Sequence, residues 1–467
     1  MNQAGKRYLL WFAQEHVEFR FQEINSLLTA FNITMDFIEK PTDLQPYWMV
    51  KFASEQDAKK ITQRSVLLRS CIELWGHSNS VDGLHEMMKK FPEHLMEPHL
   101  DEDKSFKIEV ETFCKHFTQQ EKVDKIEVFE YLPYKGPVKL KDPDTCLQYI
   151  EYYGVDPNAP PESPYRVFFG RWIASGLRQL IKYLSLKTRK FIGNTSMDAQ
   201  LSLLMANQAQ IRNGDLVLDP FVGTGSLLVA AAQFGGYVLG SDIDYLMLHA
   251  RTRPSRITQQ VRDDDEGVKA NMMQYNLEKH YLDVLVNDCS IPFWRDNLMF
   301  DAIITDPPYG IRESTEKIGT SKVNCKISED HLKTHIPAKV EYSLSTVYFD
   351  LLNFSAKHLK MGGRLVCWFP IFRDDYSEDD LPRHPCMKLE ANSEQVLTKH
   401  TSRRLLTYEK IAEYDNCEDV ENTIKDFRYK YYETREESRQ ERRSRKAELR
   451  AKGRLEAERR KVTKLSE

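Results

Sequence analysis

The feature that most constrains the fold is a series of short apolar segments in the C-terminal half of the chain, most of which end at an aspartate. These segments are LVLD (216–219), YVLGSD (237–242), DVLVND (283–288), DAIITD (301–306) and RLVCWF (364–369). Near-continuous apolar runs that alternate with helical patterns are typical of strands buried on both faces of a parallel sheet. We therefore predict a doubly wound α/β domain over 186–415, with ligands bound at the carboxyl ends of its strands.

The N-terminal part of the chain instead alternates short strand and helix signals. KRYLLWFA (6–13) and PYWMVKFA (46–53) are rich in β-forming residues, and a second round runs from SFKIEVETF (105–113) to YRVFFGRW (165–172). Helical spacing of apolar residues separates the strands within each round. This pattern predicts two α+β units, at 1–90 and 91–185, and neither contains a catalytic constellation.

The last segment of the chain, 416–467, differs from everything before it. From Arg428 on it has 15 Lys and Arg against 8 Asp and Glu, so this tail is near +7 although the whole chain carries −4. It contains three Leu and no Phe or Trp beyond that point. Such a segment cannot bury enough apolar surface to fold alone, and we predict a charged helical or disordered tail.

Hydropathy and cysteine usage restrict the compartment. No apolar run approaches the roughly 20 residues that cross a bilayer, and the first residues lack an apolar signal core. We therefore expect a cytoplasmic protein with no membrane partner. The eight cysteines are scattered and form no CxxC pair, which fits neither a disulfide scaffold nor a thiolate zinc site. We expect them to be reduced, and we expect no metal in this chain.

The first candidate binding site is the turn Asp219-Pro220-Phe221-Val222-Gly223-Thr224-Gly225, which follows a strand and precedes an apolar helix. Its glycines allow backbone amides to approach a ligand closely. Leu228 occupies the third glycine position of a dinucleotide fingerprint, and no phosphate-binding lysine follows the turn. These departures disfavour an NAD-dependent dehydrogenase and a P-loop nucleotidase.

Two further aspartates follow the next two strands of the predicted sheet. Asp242 can accept both hydrogen bonds of a ribose diol, and Asp288 can contact an adenine edge. Each aspartate alone is more often a cap or turn residue. Together with Asp219 they describe an adenosine pocket without a phosphate clamp, which points to S-adenosyl-L-methionine.

The motif Asp306-Pro307-Pro308-Tyr309 follows the strand DAIIT and indicates the chemistry. The exocyclic amine of a nucleobase is a poor nucleophile because its lone pair is delocalised into the ring. The Asp306 carboxylate and the Pro307 carbonyl can accept both amine hydrogens and direct the lone pair at a methyl donor. Tyr309 can stack on the base, which must leave its helix to reach the pocket.

These motifs resemble the amino-methyltransferases of the Rossmann-like S-adenosylmethionine-dependent family. Other segments resemble the catalytic subunits of eukaryotic tRNA (guanine-10-N2)-methyltransferases. They are FGRW from Phe169, FIGNTSMDAQLSLLMAN from Phe191, ELWGH from Glu73 and HTSRRLLTYEK from His400. The resemblance covers residues 6 to 412 and implies a seven-stranded Rossmann-like methyltransferase domain preceded by a ferredoxin-like unit and a THUMP unit.

The resemblance also implies a role for each matching residue. Asp219 and the turn Gly223-Thr224-Gly225 would hold the methionine part of the cofactor, Asp242 its ribose and Asp288 its adenine. Residues 306–309 would bind the target base. Thr195 lies in a motif that would close the amino-acid end of the cofactor; it also begins a Thr195-x-x-Asp198 pattern, a capping box that would open the helix at 201–207.

The partners that the resemblance implies are tRNA and a small zinc-binding activator subunit. The THUMP unit would dock the acceptor end of tRNA, so that the catalytic domain reaches guanosine 10. The activator would form a heterodimer with this chain and would carry the metal. We expect it to bind an exposed apolar edge of the catalytic sheet, near the strands around Val217 or Tyr237.

Two alternatives to guanosine methylation remain at the level of sequence. The first is methylation of adenine or cytosine amines on another RNA or DNA, because the motif at 306–309 can bind the exocyclic amine of guanine, adenine or cytosine. A catalytically inactive RNA-binding scaffold is the other, although the intact Asp219, Asp242 and Asp306 argue against it.

Overall fold

The computed structural model describes residues 6–42, 44–256, 258–311, 313–320 and 335–414, together with Phe427 and Tyr431. The predicted tail at 416–467 lies outside the described residues, apart from those two aromatic positions. Within the described ranges, no helix is both long and apolar enough to cross a membrane.

The N-terminal region contains the strands and helices that its apolar patterns predict. Its strands are β1 (Lys6–Phe12), β2 (Met35–Phe37), β3 (Tyr47–Phe52), β4 (Leu68–Ser78), β5 (Phe106–Phe113), β6 (Thr145–Tyr152) and β7 (Arg166–Ser175). Its helices are α1 (Arg20–Phe31), α2 (Glu55–Arg64), α3 (Val81–Lys89), α4 (Glu93–Leu100), α5 (Gln119–Glu127) and α6 (Arg178–Tyr183). The four predicted β-rich segments correspond to β1, β3, β5 and β7.

These strands of the described N-terminal region form one continuous sheet, in the order β2-β3-β1-β4-β7-β6-β5. β4 joins the two halves because it pairs antiparallel with β1 on one side and with β7 on the other. An open strand edge exposes unpaired backbone donors and acceptors, and the β4–β7 pairing removes the edges that two separate sheets would expose. The predicted units at 1–90 and 91–185 therefore share a sheet, and the boundary between them stays a prediction.

The C-terminal region contains the strands that end at the candidate site. Its strands are β8 (Leu216–Asp219), β9 (Tyr237–Asp242), β10 (Tyr281–Val286), β11 (Phe300–Thr305), β12 (Glu316–Ile318), β13 (Lys339–Glu341), β14 (Leu359–Phe372), β15 (Met387–Val396) and β16 (Thr401–Lys410). Its helices are α7 (Ala199–Gln208), α8 (Ser226–Gln233), α9 (Tyr245–Leu248), α10 (Val268–Gln274) and α11 (Leu344–His358). β12 and β13 pair with each other outside the main sheet.

The main C-terminal sheet confirms the predicted fold class. Seven strands of the described chain have the order β10-β9-β8-β11-β14-β16-β15, and those from β10 to β14 are parallel. Val217 and Leu218 belong to different hydrophobic cores, so β8 is buried on both faces as its apolar sequence predicts. The strand order reverses between β8 and β11, and ligands bind beside such a reversal in doubly wound sheets.

A buried polar network joins the N-terminal region to α7 of the C-terminal region. The Glu23 carboxylate on α1 accepts hydrogen bonds from Ser65 Oγ (2.6 Å), from Val66 N (2.8 Å) and from Asn207 Nδ2 on α7 (2.8 Å). Arg64 donates through Nε to Asn207 Oδ1 (2.7 Å). Glu23 and Asn207 are both fully buried. Since buried polar groups are costly to leave unpaired, this network fixes the orientation of one region relative to the other.

The cysteines depart from expectation at one position. Five of those described are free thiols: Cys71, Cys114, Cys146, Cys289 and Cys367. Cys386, however, is disulfide-bonded, so the expectation that every cysteine is reduced is wrong at this residue. Sequence spacing does not reveal which distant cysteines the fold brings together.

Candidate active site

Four consecutive strands of the sheet deliver the four predicted aspartates to one edge. Asp219 ends β8, Asp242 ends β9, and Asp306 directly follows β11. β10 ends at Val286, so Asp288 lies in the loop after the strand and does not end it as the sequence pattern suggested. Because the four strands are adjacent and parallel, their carboxyl ends form one continuous crevice.

Asp219 lies at the centre of this crevice. Its side chain is almost fully buried, and Oδ1 accepts hydrogen bonds from Thr305 Oγ1 (2.8 Å) and from Phe221 N (3.1 Å). Burial, with the negative charges of Asp242 and Asp306, raises the pKa of Asp219 to about 8. The residue therefore ties the turn after β8 to the end of β11, and a positively charged ligand beside it would lower this pKa and favour the charged carboxylate.

The glycine turn after Asp219 leaves room for a ligand. Gly223 and Gly225 both have positive φ, of 47° and 75°, which glycine adopts without the strain that a side chain would cause. No atom lies within 4 Å of the position that a Cβ on Gly223 would occupy. A Cβ on Gly225 would lie 2.5 Å from Val268 Cγ1, so Gly225 is also required for packing. Thr224 exchanges a 2.6 Å hydrogen bond with Ser196 through their hydroxyl groups.

Asp242 and Asp288 hold backbone amides around the same crevice. Asp242 accepts from Gly223 N and from Asp244 N, both at 2.9 Å, so it links the turns after β8 and β9. Burial and the charges of Glu313 and Asp244 raise the pKa of Asp242. Asp288 accepts from Ser290 N (2.9 Å) and from Ile318 N on β12 (2.5 Å). Both carboxylates therefore accept hydrogen bonds from backbone amides of the loops that surround the predicted adenosine pocket.

Asp306 lies on the other side of the strand-order reversal. The Tyr309 hydroxyl donates to Asp306 Oδ1, and Arg403 Nη1 lies 3.3 Å from Asp306 Oδ2. Burial raises the pKa of Asp306, while the Arg403 charge and the Tyr309 hydrogen bond oppose that rise. Pro307 and Pro308 have no backbone N–H to compete for local acceptors. A carboxylate has about four acceptor positions, so Asp306 can still accept from a ligand amine.

Thr195 does not have the local role that the sequence suggests. α7 begins at Ala199, and its N-cap is Asp198, whose side chain accepts from Gln200 N (2.8 Å). The predicted capping box is wrong because the Asp198 carboxylate reaches the first turn itself. The Thr195 hydroxyl instead donates to Glu313, which follows the motif at 306–309. The predicted role of Thr195 at the cofactor stays a prediction.

Two residues of this site were missed as functional candidates. Arg403, on β16, is not among the site residues predicted from the sequence, whereas its guanidinium lies against Asp306 and Tyr309. Glu313 is also absent from the predicted site residues, whereas it contacts Thr195 and its charge acts on Asp242. Both contacts depend on pairings between distant segments, which no local sequence signal reveals.

The charges of the crevice restrict what it can bind. In the part of the chain that the structure describes, no lysine or arginine forms an ion pair with Asp219, Asp242 or Asp288. The described residues also contain no group of three or more His, Cys, Asp and Glu side chains arranged to hold a metal ion. Carboxylates that are buried without a paired cation suit a positively charged ligand and repel phosphate groups.

The fold and the site define a methyltransferase with an N-terminal THUMP domain. A family model described as Tmrp11 THUMP N-terminal domain matches residues 6–178, and a model described as RMKL-like, methyltransferase domain matches residues 187–322. Among solved structures, the chain is similar to TrmN from Thermus thermophilus, with 17% identity and a TM-score of 0.41, over 87% of this chain and 100% of that one.

Curated relatives identify the family. The chain is 48% identical over 436 residues to tRNA (guanine(10)-N(2))-methyltransferase TRMT11 of Bos taurus, covering 91% of this chain and 95% of that protein. It is 46% identical over 439 residues to the Homo sapiens TRMT11, with coverage of 91% and 95%. The chain belongs to the TRMT11 family of tRNA (guanine(10)-N(2))-methyltransferases, as the resemblance in its motifs predicts.

Proposed function

We propose that this protein transfers a methyl group from S-adenosylmethionine to the exocyclic N2 amine of guanosine 10 in tRNA, the position that its relatives' names give. The observation that carries the proposal is the Asp306-Pro307-Pro308-Tyr309 turn at the carboxyl end of β11. It borders a crevice lined by Asp219 and Asp242, in a chain of this family.

The crevice fits S-adenosylmethionine by its chemistry. When bound, this donor supplies a methyl group attached to a positively charged sulfur, next to an amino acid and an adenosine. Asp219 and Asp242 are buried carboxyls without a paired lysine or arginine among the described residues, and a sulfonium or ammonium group beside them would favour their charged forms. The open space over Gly223 lets the backbone approach the ligand, and Asp242 and Asp288 are candidate acceptors for the ribose and the adenine.

Asp306 is suited to activate the amine. Its carboxylate and the Pro307 carbonyl accept the two amine hydrogens and favour a tetrahedral nitrogen with a localised lone pair. The donor, when bound, would supply the methyl group and keep the bonding electrons on sulfur, and the amine nitrogen held by Asp306 and Pro307 would form the new nitrogen–methyl bond. One amine proton passes to Asp306 and then to water. The Tyr309 hydroxyl donates a hydrogen bond to Asp306. A base that stacks on the Tyr309 ring therefore lies directly beside the Asp306 carboxylate.

We also propose that the N-terminal region binds tRNA. The network around Glu23 and Asn207 fixes this region against α7. A fixed distance between the bound RNA and Asp306 selects the nucleotide that is methylated.

We also propose a cytoplasmic location for the protein.

Nucleoside mapping by mass spectrometry tests the proposal. In tRNA from cells that lack this protein, we expect N2-methylguanosine to be lost at position 10 and to return when the wild-type chain is expressed. Loss of a methylated adenosine or cytosine instead would favour the alternative base. An unchanged nucleoside profile, with no binding of S-adenosylmethionine by calorimetry in the presence of the activator, would favour the inactive scaffold.

We further propose that a small zinc-binding activator subunit binds at β10. This strand is one edge of the methyltransferase sheet, and in the described chain it pairs with β9 alone. Leu282 and Val286 on β10 are 50% and 48% exposed, and an exposed apolar strand edge is a template for pairing with another chain. The expectation that the strand of Val217 forms this edge is wrong, because β8 is central and Val217 is buried.

Charged substitutions on β10 test this surface. In the double variant Leu282→Glu, Val286→Glu we expect the Kd for the activator to rise at least about tenfold, because two apolar contacts become buried charges. Co-purification and calorimetry measure the change. Leu140→Glu is the control, since Leu140 is 79% exposed on the N-terminal region. An unchanged Kd in the β10 variant would show that the activator binds elsewhere.

A further inference from the structure

The side chain of Arg403 is held in one position by contacts with several other side chains. Its Nη1 lies 3.3 Å from Asp306 Oδ2 and 3.3 Å from the Tyr309 hydroxyl. Its Nε donates to Gln395 Oε1 at 2.8 Å, and its guanidinium carbon lies 3.9 Å from the centre of the Trp368 ring. The side chain is 12% exposed. Hydrogen bonding and stacking together leave a guanidinium little freedom to turn away from its carboxylate.

The strand register explains how Arg403 reaches Asp306. Thr305 pairs with Cys367, so Asp306 is level with Trp368 on the neighbouring β14. Trp368 pairs in turn with Leu405 on β16, and Arg403 is the diagonal neighbour of Trp368 on the same face. The arginine therefore crosses β14 over the tryptophan ring to reach the end of β11.

Arg404 provides a natural comparison on the same strand. Successive side chains of a strand point to opposite faces, and Arg404 donates through Nε to Asn392 Oδ1 at 2.6 Å. Its guanidinium carbon lies 4.6 Å from the centre of the Tyr376 ring. Both arginines are thus stacked on an aromatic ring and hydrogen-bonded to β15. Of the two, Arg403 contacts the motif at 306–309, and the described contacts of Arg404 lie elsewhere.

In the part of the chain that the structure describes, the other titratable groups near Asp306 are neutral or acidic. Tyr309 comes from its own turn, Asp219 from β8, Cys367 from β14 and Tyr348 from α11. Burial raises the pKa of the Cys367 thiol and of the two tyrosines, so these three are neutral near pH 7. The charge of Asp306 opposes the ionisation of Asp219, while Arg403 favours the ionisation of Asp306.

We propose that Arg403 is a positioning residue for methyl transfer, which holds the Asp306 carboxylate ionised and aimed at the target amine. This inference rests on the proposed function, because it is the amine that needs an ionised acceptor. A protonated Asp306 would be a weaker acceptor for its amine hydrogen and could not take up the proton that the amine releases. Arg403 therefore acts through Asp306 and does not itself contact the reacting atoms.

The test compares Arg403→Gln, Arg403→Lys and the matched control Arg404→Gln in the full-length chain, under conditions in which the wild type is active. We expect turnover to fall as the pH drops, because Asp306 becomes protonated. In Arg403→Gln we expect the pH of half-maximal kcat to rise by about one unit or more, since a nearby opposite charge lowers a carboxyl pKa by roughly that amount. Raising the pH should then restore kcat to within about threefold of the wild type, a loss smaller than that of a missing acid–base group.

The controls separate positioning from a structural role. Arg403→Lys keeps the charge and should recover at least half of the pH shift, whereas Arg404→Gln should keep the wild-type profile. Asp219 titrates in every variant, so its contribution cancels in the comparison. The affinity for S-adenosylmethionine, measured by calorimetry, should be unchanged in all three variants.

A readout that does not depend on activity is the carboxyl 13C NMR titration of Asp306, assigned with Asp306→Asn. We expect the Asp306 midpoint to move upward in Arg403→Gln. An unmoved midpoint and a wild-type pH profile would overturn the inference. A loss of kcat that is equal at every pH would also overturn it. Absence of guanosine methylation by the wild-type chain would instead refute the proposed function, whatever the behaviour of Arg403.

Discussion

Asp306→Ala is expected to lower turnover at least about 1,000-fold, the upper range for removing a group that stabilises a transition state or transfers a proton. Without the carboxylate, the Pro307 carbonyl alone accepts from the amine, and the lone pair stays delocalised in the base. The affinity for S-adenosylmethionine should stay within several-fold, because Asp306 belongs to the base side of the crevice. Single-turnover assays on tRNA and calorimetry with the donor measure the two effects separately.

Asp301→Ala is the matched control for this prediction. Asp301 lies near the opposite end of the same strand, where its Oδ2 accepts from Leu216 N at 2.8 Å and its Oδ1 contacts Lys360 Nζ at 2.5 Å. Its loss should lower the free energy of unfolding by about 1 kcal/mol, the usual worth of a hydrogen bond, and leave kcat near the wild-type value. A large loss of donor affinity in Asp306→Ala would show that Asp306 contacts the donor and not the base.

The site residues that could be predicted from the sequence are those for which one short segment contains both the strand and the turn that follows it. An apolar run that ends at an aspartate specifies both a buried strand and the residue at its carboxyl end. For that reason Asp219, Asp242 and Asp306 were identified together with the sheet that gathers them. Asp288 was also identified, although the strand before it is shorter than its apolar pattern suggests.

The parts that could not be predicted depend on pairings between distant segments. Arg403 and Arg404 are equivalent in the sequence, and only the register of β16 against β14 decides which one faces Asp306. A shift of one residue would exchange them. The single N-terminal sheet has the same origin, because it depends on β4 pairing with β7. Local patterns identify elements, whereas their order in a sheet is a property of the whole chain.

Asp242→Ala is expected to weaken the binding of S-adenosylmethionine about 100-fold, which corresponds to about 2.7 kcal/mol. Two effects add. The variant loses the acceptor proposed for the ribose, and a hydrogen bond to a charged group contributes about 1.5–3 kcal/mol. It also releases Gly223 N, which Asp242 holds at 2.9 Å, and so loosens the turn that shapes the pocket. Calorimetry with the donor, and with its demethylated product, measures the change.

Asp244→Ala tests whether the effect belongs to this carboxylate or to its segment. Asp244 lies two residues further along and caps α9 by accepting from Met247 N at 2.9 Å. Its removal should cost about 1 kcal/mol of stability, as a lost N-cap does, with donor affinity retained. An unchanged affinity in Asp242→Ala would remove Asp242 from the binding site. An equal loss in both variants would show that the loop after β9 matters as a whole, because then the shape of the turn, and not a contact of Asp242 with the donor, would set the affinity.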